Sequence, residues 1–497
     1  MDHDLGWWVR IALDGWRDRP GPRYRRIAEA VAEAVESRLV AAGDRLPAER
    51  PLADALSVSR GTVVRCLDEL EAAGIVERLR GSGTFVRSRP AWTDTPRENP
   101  ASALLRRQMA GGGESIDLSQ AVPSGVDHLP PVSGLDVLAG VEGHGLEPAG
   151  SLALRTALAD HLTRRLRLPT DPDQLIVTSG AQHALTLVAA AVVPRGRTVV
   201  TGCPTYAGLP GALAGRGARL VGVPVDSFGI DAQAAHRAAA HLSAPVIYVD
   251  SGGGSPVGAV LSRSRRESLL NTARRTGALI VENLAQGGLH LEPDADPAEP
   301  LAAGEDAVIA VGSLSKLLWA GLRVGWIRTQ GAPRGHLLRL RSASDLAPGV
   351  PAQVIATRLL EAVDDPWLDA LRAALRARRD LLVTLLGRHL PAWRAHPQAA
   401  GLSLWVTLPV TDSESYAHLA ARYGVIVAPG AAHCVDGRHH AGIRLSVAES
   451  PHVLEAAVDR LAAAWEHHSR DLAAGRSQAA PAPAPGPAVS GQILTSS

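Results

Sequence analysis

Apolar residues recur every three to four positions between 23 and 37, with Ile27, Val31, Ala34 and Val35 on one face, which predicts an amphipathic helix. Gly43 interrupts the pattern, and a second helix is expected over 48–55. Ser59 then offers a helix N-cap, Val63, Leu67 and Leu70 form an apolar stripe, and Gly74 ends a third helix. Residues 75–86, IVERLRGSGTFV, read as a hairpin with Gly81-Ser82-Gly83 at its tip. Residues 87–115 are rich in Pro, Gly and polar side chains and read as a linker, with a short helix around 103–109. From 116 to 470, short apolar runs alternate with long Ala/Leu/Arg segments. Strands are expected over 175–178, 198–201, 220–223, 246–249, 278–281 and 307–311, with helices such as 181–193 and 263–276 between them. Continuous apolar strands separated by helices predict an α/β layout, a mostly parallel sheet covered on both faces. Ligands of such sheets lie at the carboxyl ends of the strands. After Gly401 a smaller α+β unit follows: strand 403–407, helix 415–423, strand 442–446 and helix 450–466. Residues 471–497, which include APAPAPGPA, read as a disordered tail.

The chain has 497 residues, too many for one compact domain. Its net charge of +1 advertises neither nucleic acid nor an acidic partner. Cys66, Cys203 and Cys434 are too few for a disulfide framework, and no pair has metal-ligand spacing, so no metal site is expected. The first residues, MDHDLGWWVR, lack a signal-like apolar run, and no stretch is apolar enough to span a membrane. A cytoplasmic protein without a membrane partner is expected. Of 51 basic residues, 50 are arginine and one, Lys316, is lysine. Arginine stays protonated, whereas a desolvated lysine can lose its proton and attack a carbonyl.

Helix, helix, helix and hairpin make a winged helix-turn-helix, an α+β unit whose third helix presents its first turn to base edges in the major groove. The stretches RLPAERPLADALSVSRGTV and LEAAGIVERLRGSGTFV resemble the GntR family of bacterial regulators. The resemblance implies that Arg50, Ser59, Arg60 and Thr62 contact a double-stranded DNA operator, with Gly81, Ser82 and Gly83 in the wing. Arg60 can donate bidentately to a guanine, while Ser59 and Thr62 suit phosphates. Family members often carry a basic residue where Val64 stands, and Arg65 is the neighbour that could compensate. Residues 1–90 hold 15 basic and 14 acidic side chains, so the DNA reading rests on pattern rather than charge.

Lys316 lies in VGSLSKLLWAGLRVGWI, just after the strand expected over 307–311, with Ser313 and Arg323 beside it. Upstream, the strand over 175–178 runs into Ser179-Gly180-Ala181-Gln182, which opens a helix whose N-terminal amides suit an anion. Two phosphate-binding elements and one activated lysine point to pyridoxal 5′-phosphate. These residues resemble the fold-type I aminotransferases, and the whole chain, over about residues 22–465, resembles the MocR subfamily of GntR regulators. The resemblance implies that Lys316 is the Schiff-base lysine and that Gly180, Ala181, Gln182, Ser313 and Arg323 hold the phosphate. It places Tyr206 and Asn283 near the cofactor ring, and Arg444 on an effector's α-carboxylate. It also implies a homodimer in which the DNA-binding domains cross over.

Departures from that family cluster around the ring. Asn283 stands where an aspartate would keep the pyridine nitrogen protonated, and Ala285 where a tyrosine would meet the phenolic oxygen. Gly253 and Gly254 replace a polar pair, and His144 stands where a tyrosine commonly reaches the partner's phosphate. The expectation is therefore a regulator that senses pyridoxal phosphate or its amino-acid adduct as a small-molecule effector, without turnover and without catalytic residues. A regulator with a degenerate pocket that binds no such cofactor, and an active aminotransferase, are the alternatives. Restoring the acid with Asn283→Asp is expected to raise cofactor affinity. The domains are expected at 1–86 (DNA-binding), 87–115 (linker), 116–470 (effector and dimerisation, with the smaller part from about 400) and 471–497 (tail). Trp7, Trp8 and Trp16 read as a packing lid, Cys66 as a small apolar core residue, and His439, His440, His467 and His468 as solvated surface.

Overall fold

The computed structural model describes residues 4–19, 21–36, 39–41, 43–79, 83–87, 115–132, 136–137, 143–293, 298–305 and 307–478. The chain divides into two compact units, Met1–Glu98 and Asn99–Ser497. The expected linker helix around 103–109 lies outside the described residues, as do Gly81 and Ser82.

In the first unit, helices α1 (Arg23–Glu36), α2 (Glu49–Leu56) and α3 (Arg60–Ala72) are followed by strands β1 (Val76–Leu79) and β2 (Gly83–Val86). The strands pair antiparallel from Val76 opposite Val86 to Leu79 opposite Gly83. Ser59 caps α3, its Oγ accepting from the Thr62 amide at 3.1 Å, a contact worth about 1 kcal/mol to a helix. Val63, Cys66, Leu67 and Leu70 are buried on one face of α3, against Ile27 and Val31 of α1. Trp8 and Trp16 are buried in the same core. Burial pushes the Cys66 thiol up to about 12, so it stays protonated as a packing residue.

The second unit is built on an eight-stranded sheet. Its strands are β3 (Leu175–Thr178), β4 (Thr198–Cys203), β5 (Arg219–Asp226), β6 (Gly229–Ile230), β7 (Val246–Asp250), β8 (Leu279–Asn283), β9 (Val308–Ser313) and β10 (Gly325–Arg328). Their spatial order is β3-β10-β9-β8-β7-β4-β5-β6. The strands from β9 through β5 run parallel, while β10 lies antiparallel to both β9 and β3. β3 is buried throughout, β7 and β8 nearly so, which is why each reads as a continuous apolar run. Helices α4 (Leu152–Leu166), α5 (Ala181–Val192) and α6 (Arg263–Thr276) cover the sheet through two separate apolar cores.

A third core forms around a four-stranded sheet in the order β11 (Arg394–Ala395), β12 (Ser403–Thr407), β14 (Gly442–Ser446), β13 (Ala428–Pro429). The last helix, α7 (Pro451–Gln478), packs on it and runs on into the segment read from sequence as a tail. His468 sits against Tyr416 and Trp465 and is 8% exposed, so its reading as a solvated surface residue is corrected. Its ring meets Tyr416 edge-on and Trp465 at a tilt, and this aromatic packing covers it from solvent. Among the described residues no helix is long and apolar enough to cross a membrane.

Candidate functional site

The carboxyl ends of β7, β8 and β9 and the N-terminus of α5 bring Asp250, Tyr206, Lys316, Arg323 and Arg444 within electrostatic reach of one another. β10 organises this cluster. Because β10 inserts between β3 and β9, Gly325 meets Gly180 so closely that a Cβ at Gly325 would lie 2.6 Å from the Gly180 Cα. Gly180 itself has φ +107°, a conformation glycine adopts without strain. The close approach lays Arg323 over the start of α5, where one guanidinium nitrogen donates to the Ser179 carbonyl. No hydrogen bond engages the amides of Ala181 and Gln182 among the described residues. They face the helix terminus, where amides and the positive dipole end suit an anion. The Gln182 side chain does not join them: its Nε2 donates to the Gly208 carbonyl at 2.9 Å. The Ser313 hydroxyl shapes the lysine turn, lying 2.8 Å from Ser315 Oγ and accepting from the Ser315 amide at 3.1 Å.

Lys316 follows in that turn. Its Nζ has no hydrogen-bond partner among the described residues. Burial, then the charges of Arg444 and Arg323, bring its ammonium down to about 7. Near neutral pH a large share is therefore the free amine, the nucleophilic form. Arg444, on β14, is 6% exposed. It bonds Ser255 Oγ at 3.2 Å and the Ser119 carbonyl, but its Nε has no partner and no carboxylate pairs with it among the described residues. Burial lowers even this guanidinium, to about 10. A buried cation with an idle donor is costly unless a ligand anion completes it. Tyr206 stands among the same charges, its phenol raised by burial.

The ends of β7 and β8 hold a residue that the sequence reading missed. Asn283 ends β8 directly opposite Asp250 at the end of β7. Asn283 Nδ2 donates to Asp250 Oδ1 at 2.6 Å and to the Tyr248 hydroxyl at 2.8 Å, and its Oδ1 accepts from the Ala285 amide at 3.1 Å. The Asn283 amide is thus fully occupied. Residue 283 brings no acid, but Asp250 on the neighbouring strand places one beside it. The expected gain from Asn283→Asp is withdrawn on the same ground. A carboxylate at 283 would sit about as close to Asp250 as the amide does, and like charges that close do not both ionise. The signal was present as the acid ending the apolar run VIYVD. Glu282, next to Asn283, is buried on the opposite side against Ser251 Oγ and the amides of Leu301 and Ala302, and braces the fold there. His144 lies exposed.

Burial raises the Asp250 carboxyl from 3.8 to about 7. The folded chain therefore holds a proton there that the unfolded chain releases above about pH 4, and stability falls as pH rises from about 4 to about 7. Asp250→Asn should flatten that part of the dependence, read as urea midpoints near pH 5 and near pH 7.5. Equal slopes in both proteins would put the proton elsewhere.

In the first unit, one groove is lined by Arg50 of α2, Arg60 of α3 and Gly83 of the wing, with Arg45 and Thr84 beside them. Arg60 is held by Glu49, its Nε and Nη2 lying 3.0 and 2.8 Å from Glu49 Oε2. Ser59 and Thr62 share a hydroxyl contact of 2.8 Å at the start of α3. Arg45, which sequence reading passed over, stacks 6.0 Å from the Phe85 ring centroid.

A winged helix-turn-helix and a fold-type I aminotransferase domain in one chain define a class: a DNA-binding regulator with an aminotransferase-like domain. Residues 137–461 match the family model for aminotransferase class I and II, and residues 23–86 that for bacterial regulatory proteins of the gntR family. The chain belongs to the aminotransferase class I and II family over this larger part and is a MocR-type member of the GntR regulators. It is 29% identical to the HTH-type transcriptional regulator YisV of Bacillus subtilis, over 88% of this chain and 95% of that protein. It is 28% identical to the pyridoxine biosynthesis transcriptional regulator PdxR of Corynebacterium glutamicum, over 76% and 81% of the two chains. Among solved structures, an archaeal alanine:glyoxylate aminotransferase matches with a TM-score of 0.67 and 27% identity, over 74% of this chain and 95% of that one.

Proposed function

We propose that this regulator senses pyridoxal 5′-phosphate, or an amino acid joined to it, in the pocket around Lys316 and passes the signal to its DNA-binding unit. One observation carries the reading: the charges of Arg444 and Arg323 bear on the buried Lys316 amine, yet no carboxylate forms an ion pair with any of the three among the described residues. Such a pocket suits a ligand that brings a phosphate, an aldehyde and a carboxylate. The free amides of Ala181 and Gln182 and the Arg323 guanidinium would hold the phosphate. Lys316 presents a neutral amine, and Arg444 awaits the carboxylate with its idle Nε. Asp250 holds a proton beside Asn283 and Tyr248. When bound, pyridoxal phosphate supplies the carbonyl that the amine attacks and a ring that withdraws electrons.

The pocket reads as a sensor rather than an enzyme. Ala285, Gly253 and Gly254 offer the ring no polar side chain, and the Asn283 amide is already spent on Asp250 and Tyr248. A homodimer and a cytoplasmic location belong to the same proposal; exposed Leu146 and Leu152, at 64% and 58%, leave apolar surface for a second subunit.

Adding pyridoxal phosphate to the purified chain should give a visible absorbance band, and an amino acid should perturb it without releasing a keto acid. No band at saturating cofactor favours the degenerate-pocket reading; steady keto-acid release makes the chain an aminotransferase. Arg444→Met should keep the band, because the phosphate and amine contacts remain, yet weaken the amino-acid response at least about tenfold, the scale of one lost charge-assisted pair. An unchanged response would mean that the carboxylate is held elsewhere.

A further inference from the structure

Two of the three cysteines, 231 positions apart, meet beside the pocket. Cys203 ends β4, and Cys434 lies in the loop that follows β13 and leads into β14. Their sulfurs are 3.6 Å apart. Asp436 Oδ1 lies 3.1 Å from the Cys203 sulfur and 3.3 Å from that of Cys434. His439 completes the group: one ligand atom each from Cys203, Asp436 and His439 fall within 4.8 Å of one another. Around zinc, with bonds of about 2.3 Å to sulfur and 2.0 Å to oxygen, tetrahedral edges are about 3.7 Å (S–S) and 3.5 Å (S–O). The S–S edge of 3.6 Å is near its value, and the S–O edges of 3.1 and 3.3 Å, thiol-to-carboxylate hydrogen bonds in the metal-free chain, need lengthen by only about 0.2–0.4 Å to reach theirs.

Three further features belong to a built site. The Val435 amide donates to the Cys203 sulfur at 3.4 Å and the His439 amide to the Cys434 sulfur at 3.3 Å, so the backbone orients both sulfurs. Arg438 grips the other carboxylate oxygen, its Nε 2.7 Å from Asp436 Oδ2, so Oδ1 is left to face the sulfurs. Gly222 on β5 leaves the space: a Cβ there would lie 2.9 Å from the Cys203 Cβ and 3.1 Å from Asp436 Oδ2.

We propose that Cys203, Cys434, Asp436 and His439 form a zinc site that fastens the loop before β14 to the carboxyl end of β4. Two thiolates, one imidazole and one carboxylate suit Zn²⁺ and disfavour Mg²⁺ or Ca²⁺. As the two zinc–sulfur bonds form, two thiol protons leave to solvent. Thiolates, carboxylate, zinc and Arg438 then sum to no net charge. The fastening bears on the effector pocket, because the adjoining residues His433 and Thr205 are tied by two hydrogen bonds of 2.9 Å. Thr205 precedes Tyr206, and the β14 strand reached by the loop carries Arg444. The metal would stiffen the wall between those two residues.

The test uses the full chain, purified reduced and stripped of metal, titrated with Co²⁺ and then Zn²⁺. The expected result is one equivalent of Co²⁺ per chain with the intense visible bands of a tetrahedral thiolate site, displaced by Zn²⁺. Zinc should also raise the thermal midpoint. Cys434→Ser should weaken binding at least about tenfold. His439→Gln, at a half-buried position, should do the same and covers the case in which the serine variant fails to fold. Cys66→Ala, in the other unit, should bind as the wild type does. Absence of stoichiometric binding overturns the site, as does binding that survives in both ligand variants. A Cys203–Cys434 crosslink in air-purified protein, with no metal taken up after reduction, would also overturn it, making the pair a redox couple. None of these readings depends on pyridoxal phosphate, so failure here leaves the effector proposal standing.

Discussion

Lys316→Arg should abolish the visible band that pyridoxal phosphate gives with the wild type, together with any cofactor-dependent change in operator affinity. The substitution keeps the charge and most of the length, but a guanidinium stays protonated and makes no stable bond to an aldehyde. In the wild type the lysine is poised for that bond, because burial and two neighbouring guanidiniums bring its amine to about 7. The variant should fold and bind DNA, since Nζ makes no hydrogen bond that the fold relies on. Weak cofactor binding without the band should remain, through Arg323 and the amides of Ala181 and Gln182. Borohydride reduction of the wild-type complex should fix the adduct at one peptide, because the chain has a single lysine. A band that survives Lys316→Arg would remove the lysine from the site.

Arg60→Ala should weaken specific operator binding by about 1–3 kcal/mol, roughly 5- to 150-fold, which is the worth of one bidentate base contact. The upper end is expected. Removing Arg60 also frees the Glu49 carboxylate that it holds at 2.8 Å, leaving an unpaired acid in the DNA-facing groove. Stability should change by less than about 1 kcal/mol, because the pair is exposed. Arg50→Ala should instead weaken all sequences alike and lower the salt slope by about one, as loss of a phosphate contact does. Both are read by fluorescence anisotropy at matched salt on an operator selected from random duplexes. Wild-type affinity in Arg60→Ala would mean that α3 does not present its first turn to the bases.

Much of this was legible in the chain. Strands Leu175–Thr178, Ser403–Thr407 and Gly442–Ser446 and helix Arg263–Thr276 fall where hydrophobic pattern put them. Their burial is uniform or sharply one-sided, so local pattern and tertiary setting agree. β10 escaped notice because Gly325–Arg328 follows the lysine motif closely and reads as an extension of that segment. Asp250 was missed for another reason. The acid was sought at residue 283, the end of β8, but parallel pairing gives Asn283 a neighbour 33 residues earlier in the chain. The Cys203–Cys434 cluster was invisible for the same cause: spacing along the chain reports local ligand sets, and this one is closed by β4 and a loop more than 200 residues away. The lone lysine was legible because it stands out against fifty arginines.

The central claim joins cofactor and DNA. Operator affinity and the visible band should be followed in one titration of the wild-type chain with pyridoxal phosphate, at fixed salt. Affinity should change with the same midpoint as the band grows, and Lys316→Arg should show neither. Saturation of the band with operator affinity unchanged throughout, with and without added amino acid, would contradict it.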